Sequence, residues 1–488
     1  MINDQFRLYE NSKWIQAIYN IVFVLIWSLA NDGLAFWDDF SYLNFAHQVN
    51  QGTFEVTTNH FTSRIALIYP VAQVIDLLGI NEYSITVFPL VCSLIVLNVL
   101  FYMGRQTNIW IGMIGGFFLI CDYHTIIFST HLFPEMPMML YVLLAIGAYD
   151  MINRRVGDNR FLALITSSSI FAAFLTKTTI FLLIPLFLYL FINDWFIRKR
   201  HRSYWLITAS TLVFFVLLNF IYYYETTGDF FFRLNNISDN HEASVKTFFD
   251  KPAIEIVKRL TYLPLLGFTR GGFFIPLLFA LPALFSIEKK SWRLDDQKML
   301  WPISILLILV TWWFISTNWK YYSPMPLDTR HISFLIPLMI IAGCNWWIKT
   351  GVFKRVMNTK FGWLIFAPLM AIPAYRIVTS DNRNFNDLQI AFERNVLPIE
   401  RKASVFTDGL ISYGYPYFFG FEETPLEFEW FSESETTIQK GDLILINPAY
   451  LNERYADQKN LDNIKQQAEL VGELQCESIG AIELCEVR

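Results

Sequence analysis

Two adjacent carboxylates, Asp38 and Asp39, stand in WDDFSYLNFAHQV, just beyond the first long apolar run of this 488-residue chain. An acidic pair at the edge of apolar sequence is costly to desolvate and suits a general base, a metal ligand or both. The plainer reading is helix capping, in which one carboxylate accepts from the first turn of a following helix. A second acid, Glu135, lies between Pro134 and Pro137 at the head of another apolar run, where capping and dipole complementarity again compete with chemistry. Three cations sit in equally apolar company: Arg64 in NHFTSRIALIYPV, Lys177 in FLTKT and Arg330 in LDTRHISFLIPL, between Asp328 and His331. Such cations either hold an anion or extend their heads to an interface.

The elements that must position these residues follow from composition. Hydrophobic residues make up 54% of the chain and charged residues only 17%, against about 25% charged in soluble proteins. The charges are clustered between apolar runs of about 18 residues or more, enough to cross a hydrocarbon core. A net charge of −5 excludes a general nucleic-acid binder, which carries a basic excess. The pattern predicts a polytopic α-helical membrane protein with about eleven transmembrane helices. They fall near 14–31, 84–103, 108–128, 134–152, 161–176, 178–196, 203–222, 271–287, 301–317, 331–348 and 361–376. One apolar stretch runs through the fifth and sixth. Lys177 at its midpoint reads as a bend between two helices, because a lone lysine in mid-bilayer is expensive.

The basic residues set the expected orientation. With the N-terminus in the cytoplasm, the short inner segments hold Arg105, Arg154, Arg155, Arg160, Arg198 to Arg202, Lys289, Lys290, Arg293, Lys298 and Lys349 to Lys360, as the positive-inside rule requires. The first span reads as an uncleaved anchor. Three segments then face outward. The first, about 31–83, contains two pieces with apolar residues at helical spacing, expected to lie along the membrane surface. The second is the polar stretch 223–270. The third, 377–488, carries frequent charges and a buried-strand run, Asp442 to Ile446; it reads as a small extracytoplasmic α/β domain, leaving 1–376 as the transmembrane module. Cys476 and Cys485 flank Ser478-Ile479-Gly480 in that tail, where a hairpin disulfide and two buried thiols are both open.

Singly these signals are weak, but their order resembles a family. An acidic pair after the first helix, an acid in the second outer loop, a Leu-Thr-Lys element and an arginine ahead of a late Leu/Pro-rich helix are similar to the membrane glycosyltransferases of the C superfamily. The nearest branch is the bacterial protein-mannosyltransferase-like and aminoarabinose-transferase-like one (glycosyltransferase family 39-like), and the likeness covers most of positions 14–376. This sequence departs from the branch in having Asp38-Asp39 for Asp-Glu, Glu135 for Asp, and Lys177-Thr178 for Lys-Gly.

The resemblance implies inverting transfer of a hexosyl or pentosyl unit from a polyprenyl-phosphate sugar. The acceptor is a hydroxyl on a lipid, glycan or protein, at the outer face of the inner membrane. The first outer loop would be catalytic, with Asp38 as base and Asp39 and Glu135 orienting groups or binding a metal. Arg64, Lys177, Arg270, Lys320 and Arg330 would stabilise the departing phosphate, Arg64 and Arg330 foremost, and Tyr42 and His60 would position the acceptor. No cofactor is implied firmly. A divalent metal joining these acids through His60, His131, His241 or Glu242 is compatible with the residue types, although no HxxH spacing is present. The rival readings are a flippase or transporter for a lipid-linked sugar, which would place charge at the midplane and show repeats, and a polysaccharide polymerase or ligase. A scaffold with a partner-binding tail leaves the acids of the first loop unexplained.

Overall fold

The computed structural model describes residues 2–488 apart from 32, 35–36, 237–252, 270–271, 289–291, 293–298, 317–321, 323, 360–366, 380–387, 391, 432–436, 453–454 and 480–481. The chain divides into two compact units. The first comprises Met1–Ala30, Glu55–Pro70 and Thr86–Ile377; the second comprises Asn31–Phe54, Val71–Ile85 and Val378–Arg488. The pieces of the first loop therefore divide between the two units.

The helices in chain order are α1 Ile2–Ala30, α2 Trp37–Gln51, α3 Ile65–Leu78, α4 Val87–Thr107, α5 Ile109–Ile120, α6 Tyr123–Ser129, α7 Glu135–Asn153, α8 Asn159–Thr176, α9 Ile184–Ile192 and α10 Arg202–Thr227. They continue with α11 Phe274–Phe285, α12 Leu300–Phe314, α13 Ile336–Lys349 and α14 Ala367–Thr379. Among the described residues seven helical stretches are long and apolar enough to cross a membrane, or eight if α5 and α6, bent by 61°, form one broken span. The protein is a multi-pass membrane protein. Two of the expected spans appear as the shorter apolar helices α11 and α12, and the last expected span begins within residues outside the description.

Local chemistry explains the breaks. Asn108 starts α5 by accepting from the Trp110 amide, and Asp158 starts α8 by accepting from Arg160. Asp122 bends the α5–α6 pair: its Oδ2 accepts from the Thr125 amide at 2.8 Å and from the Thr125 hydroxyl at 2.9 Å. A one-residue turn joins α4 to α5, and there a Cβ on Gly104 would lie 2.6 Å from the Gly112 nitrogen. Only glycine permits that approach, the usual device for close helix packing in lipid. The break expected at Lys177 falls there: α8 ends at Thr176, Lys177 is extended (φ −157°, ψ 137°), and a 3₁₀ turn, Thr178–Leu183, leads into α9.

The second unit is built on a five-stranded mixed sheet of order β2-β1-β3-β5-β4. Its strands are β1 Ala403–Thr407, β2 Leu426–Trp430, β3 Leu443–Ile446, β4 Leu474–Ile479 and β5 Ile482–Val487. β1 pairs in parallel with β2 and β3, while β5 runs antiparallel to β3 and β4. Every residue of β3 is buried, because Leu443 and Leu445 enter one core and Ile444 and Ile446 the other. A strand covered on both faces reads as a continuous apolar run rather than an alternating one. Helix α15, Gly409–Phe418, is capped by Asp408, whose carboxylate accepts from the Leu410, Ile411 and Asn447 amides; α16 is Tyr455–Val471. Cys476 and Cys485, directly opposed on β4 and β5, form a disulfide.

Candidate functional site

The charged residues of the first unit converge at the head of α7. Glu135 occupies the first turn of that helix and is 2% exposed. Its Oε1 lies 2.5 Å from Lys177 Nζ and 3.8 Å from Arg330 Nε. Lys177 is 8% exposed and reaches Glu135 because α7 packs along α8, which ends one residue before it. Arg330 belongs to the 3₁₀ turn Thr329–Leu335 that leads into α13. Asp328 caps that turn by accepting from the Arg330 amide, and its Oδ2 lies 3.2 Å from Arg330 Nε. The Arg330 guanidinium also rests on the Phe133 ring, 5.8 Å from its centroid. Arg64, stacked over Phe61 at 4.7 Å, is electrostatically coupled to both Glu135 and Lys177.

A fourth cation escaped the sequence reading. Arg233, 2% exposed, lies over the Phe174 ring at 4.3 Å and donates to the Phe174 carbonyl. Its Nε and Nη1 are buried with Tyr223 as a side-chain partner, and Arg64 is within its electrostatic range. Burial pulls its pKa down while Tyr223 opposes that pull; a guanidinium keeps its charge through such shifts. The available signal was an arginine following three phenylalanines in DFFFR, hidden in a stretch that otherwise reads as polar loop.

Among the described residues Lys177, Arg330 and Arg64 all act on the buried Glu135, Asp328 sits beside the half-exposed Arg330, and Arg233 lies within range of Arg64. An ion pair taken out of water is stable only with good geometry and further partners. Here Glu135 Oε2 makes no hydrogen bond. Several cations drawn toward one buried carboxylate form an arrangement that an anion completes.

Phe174 also belongs to an adjoining cavity of about 520 Å³ between α8, the 3₁₀ turn, α9 and α10. Phe171, Phe174, Phe181, Phe187, Phe191 and Phe220 line it. A long apolar chain fits such walls. The cation cluster and the phenylalanine groove therefore share a residue.

The other expected positions fall elsewhere. Asp38 and Asp39 form the first turn of α2 in the second unit; Asp39 is fully buried and Asp38 half-buried. In that unit α2 packs on α15: Trp37 meets Tyr413 edge-on at 5.0 Å and Asn44 donates to the Tyr413 carbonyl at 2.8 Å. Tyr42 is buried in the same helix. His60 opens a 3₁₀ turn of the first unit with its ring tilted against Phe61. Arg270, Lys320, His241 and Glu242 lie outside the described residues. Among the described residues the single group with metal-like spacing is Cys476, Glu483 and Cys485, and its two sulfurs are joined to each other.

With this geometry in view, the architecture has a counterpart among solved structures. ArnT from Cupriavidus metallidurans bound to undecaprenyl phosphate matches with a TM-score of 0.61 at 12% identity, covering 98% of each chain. The apo state of the same protein matches with a TM-score of 0.59 at 11% identity, again over 98% of each chain.

The fold is GT-C-like.

At such low identity the likeness carries the fold and nothing finer. No protein-family model matches the sequence, and no curated protein matches it. In fold the expected likeness to the aminoarabinose-transferase-like branch holds, and the small C-terminal sheet domain is part of what is shared.

Proposed function

We propose that this chain is an inverting glycosyltransferase that moves a monosaccharide from a polyprenyl-phosphate donor to an acceptor hydroxyl. It would work at the outer face of the inner membrane, with the N-terminus cytoplasmic and the tail outside. The observation that carries the reading is Phe174, which lines the apolar groove and bears the Arg233 guanidinium on its ring. The prenyl tail lies in the groove, and the phosphate enters among the cations beside it. ArnT's undecaprenyl phosphate is a ligand of this chemistry.

Arg64, Lys177, Arg233 and Arg330 then neutralise the charge that develops on the departing phosphate. Polyprenyl phosphate leaves mostly unprotonated near neutral pH, since its second pKa is about 6. Glu135 is a positioning residue: bound to Lys177, it keeps the buried ammonium charged and aimed. For the base we retain Asp38, whose carboxylate takes the acceptor's proton during attack.

Undecaprenyl phosphate is titrated into the purified protein and its Arg233→Ala and Arg330→Ala variants. A loss of about tenfold or more in each supports the site; unchanged affinity in both removes it. Asp38→Asn keeps the capacity to cap a helix but not to accept a proton, so transfer falls about 10²-fold or more while donor binding holds. A flippase would instead translocate the donor without ever releasing free polyprenyl phosphate.

A further inference from the structure

The second unit contains a pocket that the transfer reaction does not use. Its volume is about 310 Å³, and Phe392, Tyr417, Phe418, Phe421, Gln389 and Glu393 line it, in the range typical of small-ligand sites. We propose that this pocket binds a neutral or amine-bearing saccharide, with Phe421 as the face on which a sugar ring stacks and Glu393 with Gln389 as its hydroxyl partners.

Phe421 is the unusual residue. Its φ is +61°, directly after Gly420 at +63°, and its amide donates to the Pro416 carbonyl at 2.7 Å. A bulky side chain in the left-handed region is a true outlier, and such strain collects where a ring or group must be presented. The neighbouring His47 stacks on Phe421, with centroids 4.0 Å apart and planes 23° apart. Burial lowers the His47 pKa from its ordinary value, so the ring remains a neutral backing near pH 7. One face of Phe421 is thereby fixed.

The polar side of the pocket is built from acceptors. Gln389 Nε2 donates to Glu393 Oε1 at 3.0 Å, which orients the carboxylate and leaves its other oxygen and the Gln389 carbonyl for hydroxyls. Glu82 lies within electrostatic range of Tyr417, and Glu422 and Glu423 follow Phe421 in sequence. No lining residue described there is cationic. Aromatic faces with oriented acceptors and negative charge select polyhydroxyl rings and disfavour phosphates and uronic acids. The proposal is independent of the donor site: a protein without transferase activity would still bind.

The full-length protein in nanodiscs is titrated with three tetrasaccharides, followed by ligand-observed NMR. They are chitotetraose (neutral), its N-deacetylated form (cationic) and tetragalacturonic acid (anionic). The first two are expected to bind and the third not. Phe421→Gly should weaken binding about tenfold or more with the unfolding temperature unchanged or raised, since glycine adopts this backbone freely. Glu393→Gln, at an exposed position, should weaken the cationic ligand more than the neutral one, and it decides the matter if Phe421→Gly does not fold. Binding by none of the three, tightest binding of the galacturonide, or wild-type affinity in the folded variants overturns the proposal.

Discussion

The two ends of α7 each bury charge, and they do it differently. At the far end Asp194, fully buried, is satisfied by three side chains: the Tyr149 hydroxyl at 2.9 Å, Arg200 Nε at 2.9 Å and Trp205 Nε1 at 3.2 Å. Beside it Asp150 pairs with Arg154 at 2.8 Å, one turn on. Both oxygens of the Asp194 carboxylate are thus hydrogen-bonded. At the near end Glu135 faces Lys177, Arg330 and Arg64, and its Oε2 makes no hydrogen bond. A buried charge is therefore not in itself a mark of function. A carboxylate bonded on both oxygens works as a structural lock, whereas one with a bare oxygen among several cations is the better candidate for a ligand site.

Substitutions at the two ends test that contrast. Lys177→Met should be the most damaging, because it removes the close ion pair and leaves the buried Glu135 with Arg330 at 3.8 Å and the more distant Arg64. Stripping one partner from a buried pair costs about 3–5 kcal/mol, read as a fall in the unfolding temperature in detergent. Pairing it with Glu135→Met should recover much of that stability but none of the donor binding. A double variant as unstable as the single one would mean that Lys177 is needed for packing instead. Asp194→Asn should cost about 2 kcal/mol, the loss of charge-assisted hydrogen bonds, and leave undecaprenyl phosphate affinity within about twofold of wild type. A tenfold drop there would erase the distinction between lock and site.

Arg330→Lys retains charge but not the planar fork, so donor affinity should fall about threefold to tenfold with little change in stability. Raising salt should give the smallest effect. Phosphate binding at a partly exposed Arg330 weakens modestly as screening increases, while the Asp194 node, whose carboxylate is fully buried, should respond less; unfolding curves and donor titrations at two ionic strengths separate them.

The sequence disclosed most of the long apolar helices, the two helices around Trp37 and Ile65, and the bend at Lys177, because each rests on local periodicity or on the expense of one charge in lipid. It also placed a strand at Leu443–Ile446 from a short apolar run. The partnership of Glu135 with Lys177, 42 residues apart, was not legible, since it arises from how α7 packs along α8. Arg233 was missed for a similar reason: nothing in DFFFR says that its guanidinium folds back over Phe174. The disulfide was undecided in sequence and is settled by register, since Cys476 faces Cys485 across β4 and β5. The division of the first loop between two units had no signal at all in composition.

The phenylalanine groove has walls that are also outer surface: Phe181, Ile184, Leu188 and Val216 line it and are exposed. A chain that enters between such walls arrives sideways from the hydrocarbon, never having dissolved in water. The quantity that sets occupancy is then an areal density, the mole fraction of carrier among bilayer lipids. Adding empty liposomes that exchange lipid should slow such a protein even though nothing in the aqueous phase has changed, and a tenfold dilution of the whole suspension should leave turnover per molecule where it was.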